Sequence, residues 1–140
     1  MNDFEYYLGE GSVKRRNNDL ELAKSLINDA RDRFEKVSKL DADVFSKIIF
    51  ENVYDALRDI LDAILAIDGY KSYSHEASIA YLRAYGVEIS VLMELDAFRQ
   101  TRNGSKYYGK GIAKSDSDSI VKFYNEHAPK LILIATKKMR

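Results

Sequence analysis

The side chains best suited to chemistry lie between Arg99 and Lys114, in RQTRNGSKYYGKGIAK, which holds five bases and no acid. The bases are Arg99, Arg102, Lys106, Lys110 and Lys114, with Tyr107 and Tyr108 among them. The whole chain carries 22 Lys+Arg and 22 Asp+Glu, so the remainder has 17 bases against 22 acids, a balance of −5. Positive charge gathered into one Gly- and Tyr-bearing segment of a neutral protein makes a candidate anion site. Guanidinium forks and ammonium groups suit phosphate, and tyrosine rings can stack on bases. Arg99 and Arg102 are three apart and share a helix face. Asn103 adds an amide that can cap a helix or contact a ligand. The same cations would also serve, more plainly, as solvated charge favouring the negative end of a helix.

Other chemistry finds less support. There is no cysteine, which excludes disulfides, thiolate metal sites and cysteine nucleophiles. No Gly-x-Ser-x-Gly, Walker-type or dinucleotide motif occurs, and Gly109-Lys110-Gly111 is too short to count as one. The two histidines, His75 and His127, have no ligand partner at helical spacing. His75 sits in GYKSYSHE at the expected start of a helix, where the positive end disfavours its protonated form. It is read either as structural or as lining a pocket shared with the basic segment. Glu51, Asp55, Asp59 and Asp62 place about one acid per turn on one side of a helix. Carboxylates in a row can hold a hard cation, but the Glu-x-x-His pairs of di-iron bundles are missing. A solvated or ion-paired face is therefore expected, with no metal and no cofactor.

At 140 residues one domain is expected. The opening MNDFEYYLGEG lacks the cationic region and apolar run of a signal peptide. No apolar stretch is long enough to span a bilayer. A cytoplasmic protein without membrane contact is expected. Neutral overall charge makes any nucleic-acid contact local.

These residues must be positioned by helices. Asn17, Asn18 and Asp19 offer an N-cap, and Leu20, Ala23, Ile27, Ala30 and Phe34 then recur at spacings of three and four, predicting a helix over about 18–39. Asp41 caps a second over about 42–67, apolar on more than one face and thus central. Asp68-Gly69 ends it. Ser74 caps a short third helix over about 75–85, stopped by Gly86. A fourth spans about 87–103, and Asn103-Gly104 reads as its end, with the basic segment following as a loop. Ser115 and Asp118 have capping-box spacing and open the last helix, which Pro129 should kink or split. Residues 1–16 read as irregular or short-helical, and no strand is expected. The predicted fold is all-α, an up-and-down antiparallel bundle of four to five helices.

FRQTRNGSKYYG near the end of a fourth helix resembles the signature of HEPN domains (higher eukaryote and prokaryote nucleotide-binding). Their pattern is an arginine, often followed by asparagine, and a histidine a few residues later. Arg102 and Asn103 match the first part, and the histidine position, five after Arg102, holds Tyr107, giving RNxxxYYG. NNDLELAKSLINDARDRF looks like the family's first long helix, and GYKSYSHEASIAYL looks like a connector and helix of an archaeal branch. The resemblance implies a HEPN-type bundle and a homodimer in which the arginines of both subunits face one cleft. It implies a small nucleotidyltransferase as partner, as in toxin–antitoxin pairs. For activity it implies either nucleotide binding or metal-independent ribonuclease chemistry, with arginine holding the phosphate and histidine moving the 2′-hydroxyl proton.

Tyrosine with an ordinary pKa of about 10 stays protonated near neutrality and is a poor base. The first expectation is therefore a binding module for nucleotide or RNA, its ligand held by Arg99, Arg102, Asn103, Lys106, Tyr107, Tyr108 and His75. The second is a ribonuclease in which Arg102 and Tyr107 are the catalytic candidates. The third is a structural dimerisation protein without a ligand.

Overall fold

The computed structural model describes residues 1–139, and the chain is all-helical apart from one small two-stranded sheet. The elements are α1 (Phe4–Glu10), β1 (Val13–Arg15), α2 (Leu20–Val37), α3 (Ala42–Asp68), β2 (Tyr70–Ser72), α4 (His75–Tyr81), α5 (Ile89–Tyr108) and α6 (Lys114–Lys138). A 3-10 turn, Leu82–Tyr85, follows α4. Among the described residues no helix is long and apolar enough to cross a membrane.

The expected caps form. The Asp19 carboxylate accepts from the Leu22 amide, Asp41 from Asp43, and the Ser74 hydroxyl from Ala77. Each satisfies an amide that the helix leaves unpaired. Helix α3 ends at Gly69, whose φ of +85° returns the chain toward α2. Asn18 donates to the Ile67 carbonyl and Asp19 N–H to the Ala66 carbonyl, both at that end of α3.

Helix α3 is the centre. Phe50, Val53, Leu57, Ile60 and Ile64 are among its fully buried residues. It packs mainly against α2 on one side and α6 on the other, while the backbones of α2 and α6 stay apart and meet through side chains such as Phe34 and Tyr124. Direction alternates along α2, α3, α5 and α6, so α3 and α6 run side by side in the same sense. Ser46 donates to the Ile112 carbonyl at one end, and Lys138 bonds Asp68 at the other. The up-and-down bundle expected from the sequence is therefore present.

Four expectations need correction. Residues 13–15 pair antiparallel with 70–72, Val13 opposite Ser72 and Arg15 opposite Tyr70. Three-residue strands are too short to leave a period-2 signal; the turn at Gly69 brings them together. Helix α6 is not split at Pro129. Pro129 and Asn125, whose carbonyl loses its usual donor, are both exposed, so water can replace the lost bond. Helix α6 begins after Ala113, not at Ser115, and the Asp116 carboxylate accepts from the Ala113 amide. Finally, α5 does not end at Asn103-Gly104 but continues to Tyr108.

Candidate functional site

The extension of α5 changes what the basic segment is. Arg99, Arg102, Asn103 and Lys106 stand on a helix, and only residues after Gly109 form the loop. Gly109 at φ +68° supplies the left-handed cap, its amide bonded to the Gly104 carbonyl. The amide of Lys110 bonds the same carbonyl. The Lys110 side chain then folds back over Gly104, close enough that an added Cβ would lie 3.3 Å from Lys110 Cδ.

At about 100° per residue, Arg99, Arg102 and Lys106 keep to one side of α5. Tyr108, nine residues past Arg99, falls half a turn away, and it is 78% exposed. Tyr107 is 65% exposed, with the Lys106 ammonium 5.6 Å from its ring centroid. Asn103 is half-buried. The two tyrosines therefore do not enclose a pocket together with the arginines.

The arginine side of α5 meets α3 and the start of α4. Arg99 is anchored. Its Nε donates to Asp96 at 2.8 Å, and Nη1 lies 3.5 Å from Glu76 at the start of α4. Glu76 also accepts from the Tyr7 hydroxyl, so Arg99 joins α5 to α4 and, through Glu76, to α1. Burial opposes the Asp96 charge, but hydrogen bonds from Arg99 and Gln100 outweigh it and hold the carboxyl below its usual range.

Arg102 is held differently. Its side chain is only 13% exposed, yet among the described residues its guanidinium makes no hydrogen bond within the chain. Nη2 lies 3.5 Å from one oxygen of Asp55, the guanidinium carbon stands 5.3 Å from the Tyr54 ring centroid, and Nε is sealed without an acceptor. Asp55 is shared, since Arg33 of α2 approaches its other oxygen at 3.9 Å.

His75, the first residue of α4, joins this junction. Its Nδ1 is 3.3 Å from the Tyr54 hydroxyl. Burial, and then the positive charges of Arg58, Arg102, Arg99 and Lys106, push the imidazole down to about 4. It is therefore neutral at pH 7. Burial raises Tyr54 to about 12 against the same three arginines, so it is a protonated phenol. The cavity here, lined by Tyr54, Arg58 and His75 among others, holds only about 10 Å³, room for one water at most. Arg99 and Arg102 do not line that cavity. Ile48, exposed, lies on the same side of α3 as Asp55, seven residues before it, and exposed Val44 precedes the kink at Phe45.

The α3 acids serve different ends. Asp55 pairs with arginines of α2 and α5, whereas Asp59 and Asp62 are half-buried without an ion pair among the described residues. Burial first, then neighbouring Asp62, Asp55 and Asp29, lifts Asp59 to about 6 despite Arg33. Burial also raises Asp62. Among the described residues no group of three or more acids and histidines is placed to hold a metal ion. His127 lies apart, against the Phe123 ring at 4.6 Å between centroids.

Sequence reasoning placed Arg99, Arg102 and His75 but missed Tyr54, Arg58, Glu76 and Asp96, which surround them. The signal for Asp55 was its place in the acidic row, whose pairing with another helix could be anticipated. Tyr54 carried no signal, because an aromatic residue in an apolar helix reads as core. No family model, curated protein or solved structure matches the chain.

Proposed function

We propose that this chain is a HEPN-type module that binds phosphate-bearing ligands, nucleotide or RNA, through Arg102. The observation that supports this most is a guanidinium largely withdrawn from water that, among the described residues, makes only a 3.5 Å ion pair with Asp55 and no hydrogen bond. A buried polar group without partners is costly, and hydrogen bonds to charged groups are the stronger kind. A phosphate oxygen would compete with Asp55 for the Nη groups, which are not sealed as Nε is. Lys106 and Arg58 add positive charge at the junction, as the depressed His75 indicates. Arg99, committed to Asp96 and Glu76, is a scaffold residue in this reading.

The working form is a homodimer. A shallow junction beside exposed Val44 and Ile48 would become a cleft when a second copy covers them. A small nucleotidyltransferase as protein partner rests on the HEPN resemblance alone.

One observation favours a second reading, a metal-independent ribonuclease. A neutral imidazole stands at the same junction as Arg102, although Tyr107 fills the family's histidine position. A base near pKa 4 is weak, but a bound phosphodiester anion would offset part of the cationic contribution and raise it, burial remaining the larger cause.

The test is labelled single-stranded RNA incubated with the protein in EDTA, beside Arg102→Ala, Arg102→Lys and His75→Ala, each checked for an unchanged thermal transition. Salt-sensitive binding without cleavage, lost in Arg102→Ala and partly restored in Arg102→Lys, supports the module. Cleavage that needs both Arg102 and His75 supports the nuclease. Binding indifferent to Arg102 overturns both readings, and no binding and no cleavage, with a dimer that Arg102→Ala disrupts, leaves a structural role.

A further inference from the structure

A groove separate from the arginine junction lies between α2 and α6. Because α2 and α6 diverge over α3, this groove of about 470 Å³ opens between the last turns of α2 and the middle of α6. This lies within the ~300–1,000 Å³ of ordinary small-molecule sites. Its apolar wall comprises Phe34, Tyr124, Ala128, Pro129 and Ile132, with Arg31, Glu35, Ser38 and Lys39 at its edges, the Glu35 carboxylate paired with Lys39. The Phe34 and Tyr124 rings stack with centroids 3.8 Å apart and planes within 12°. Tyr124 is 6% exposed, and its hydroxyl is sealed without any hydrogen-bond partner. The Arg31 charge reaches that hydroxyl, opposing the rise that burial causes in its pKa. Among the described residues Arg31 is exposed and has no carboxylate within ion-pair distance, whereas Lys39 is already paired with Glu35.

A stacked pair of rings, an orphaned buried donor and an uncommitted guanidinium together describe the complement of one chemical group. We propose that this groove binds a small amphiphilic carboxylate. Its aromatic or aliphatic body lies on Phe34, Ala128, Pro129 and Ile132, and its carboxylate pairs with Arg31; a small shift of the Tyr124 ring on binding uncovers the sealed hydroxyl, which then donates to the same carboxylate. The extent of the apolar surface favours a small molecule over a partner helix. Helical partners need anchors over several turns. Here the wall ends at Asn125, Glu126 and Lys130 on α6 and at Asp32, Glu35 and Lys36 on α2, all exposed.

The probe is 2-naphthoate, with 2-naphthamide as its neutral isostere, titrated into the full chain and followed by amide NMR shifts. Saturable shifts confined to residues 31–39 and 124–132 are expected, with the amide weaker by about tenfold or more, as loss of a charged hydrogen-bonded pair implies. Arg31→Gln and Tyr124→Phe should each weaken naphthoate about fivefold to tenfold. Tyr124→Phe should not lower the thermal transition, since the hydroxyl it removes is unpaired, so lost binding cannot be blamed on unfolding. The proposal is overturned by no saturable shift at millimolar naphthoate, by equal binding of the amide, or by shifts that both variants leave unchanged. Groove shifts that depend on protein concentration alone would assign the groove to a second chain and also overturn it.

Discussion

Asp59 is ionised in the wrong place, and replacing it should stabilise the protein in a pH-dependent way. Its carboxyl is half-buried on α3, meets Asp29 across on α2 and Asp55 and Asp62 along its own helix, and has only Arg33 in compensation. The folded-state value near 6 stands about 2 units above the ~3.9 of an exposed aspartate. An acid whose pKa is raised by folding binds more protons in the native state between those two values. Stability therefore falls as pH climbs from about 4 through 6, and the full penalty is present above the folded value. Two units correspond to roughly 3 kcal/mol as a ceiling. Partial exposure and screening reduce this to about 1–2 kcal/mol. Asp59→Asn keeps the shape and removes the charge. It should raise stability by that amount at pH 7.5, or roughly 3–8 °C in the thermal transition for a chain this size. At pH 4, where the native carboxyl is already protonated, the gain should nearly vanish. Urea unfolding of both proteins at the two pH values measures the difference directly. Half-molar salt should trim the gain without abolishing it, because burial is the largest cause and repulsion the smaller. An equal gain at both pH values, or a loss at pH 7.5, would refute the reasoning.

Asp68 has the opposite sign. It accepts from Tyr81, Tyr85 and Lys138, and those bonds hold its carboxyl below the usual range against burial. Asp68→Asn should cost about 2–3 kcal/mol at pH 7. That cost should shrink as pH drops below ~3.9, where the unfolded carboxylate takes up its proton, and through the lower folded value. Denaturation of variant and parent at pH 7 and pH 2.5 checks it. Gly69→Ala should be worse than an ordinary turn substitution, losing about 2 kcal/mol or more. The residue has φ +85°, and a Cβ there would stand 2.9 Å from the Arg16 carbonyl, which is backbone and cannot easily yield. A loss below about 0.5 kcal/mol in urea unfolding would show that the α3–β2 turn relaxes freely.

The helices were legible because they obey simple local rules. Asp19, Asp41 and Ser74 cap where their side chains suit a first turn, and Gly69 and Gly86 stop helices by accepting a positive φ. The near-continuous apolar pattern of α3 announced its central place. What failed were positions where a local preference is overridden by tertiary contacts. Gly104 looks like a terminus, because glycine weakens a helix by about 1 kcal/mol. The helix passes through it all the same, with Ser105 buried behind and Lys110 folded over it. Pro129 looks like a break, but its missing donor faces water. The β1–β2 pair joins segments more than fifty residues apart, and nothing within three residues reports such a partner.

The same override decides which residues can act together at the candidate site. Had the chain turned at Asn103, Tyr107 could have swung back toward Arg102. On a continuous helix, five residues amount to about 140° of rotation, so Tyr107 leaves the arginine side while Lys106 stays on it. An imidazole at position 107 would be turned away in the same manner within one chain. The imidazole that does reach the arginine side comes from α4, and it reaches it because Ser74 caps that helix and Glu76 is tied to Arg99. Arg99 thus acts on His75 by position. Arg99→Lys should keep a charge but lose the forked link between Asp96 and Glu76. The α4 start would then loosen, and His75, less buried, should titrate well above its present value near 4. An NMR titration of the His75 ring protons follows that change. A ring that still titrates near 4 in Arg99→Lys would show that α4 is held at the junction without Arg99.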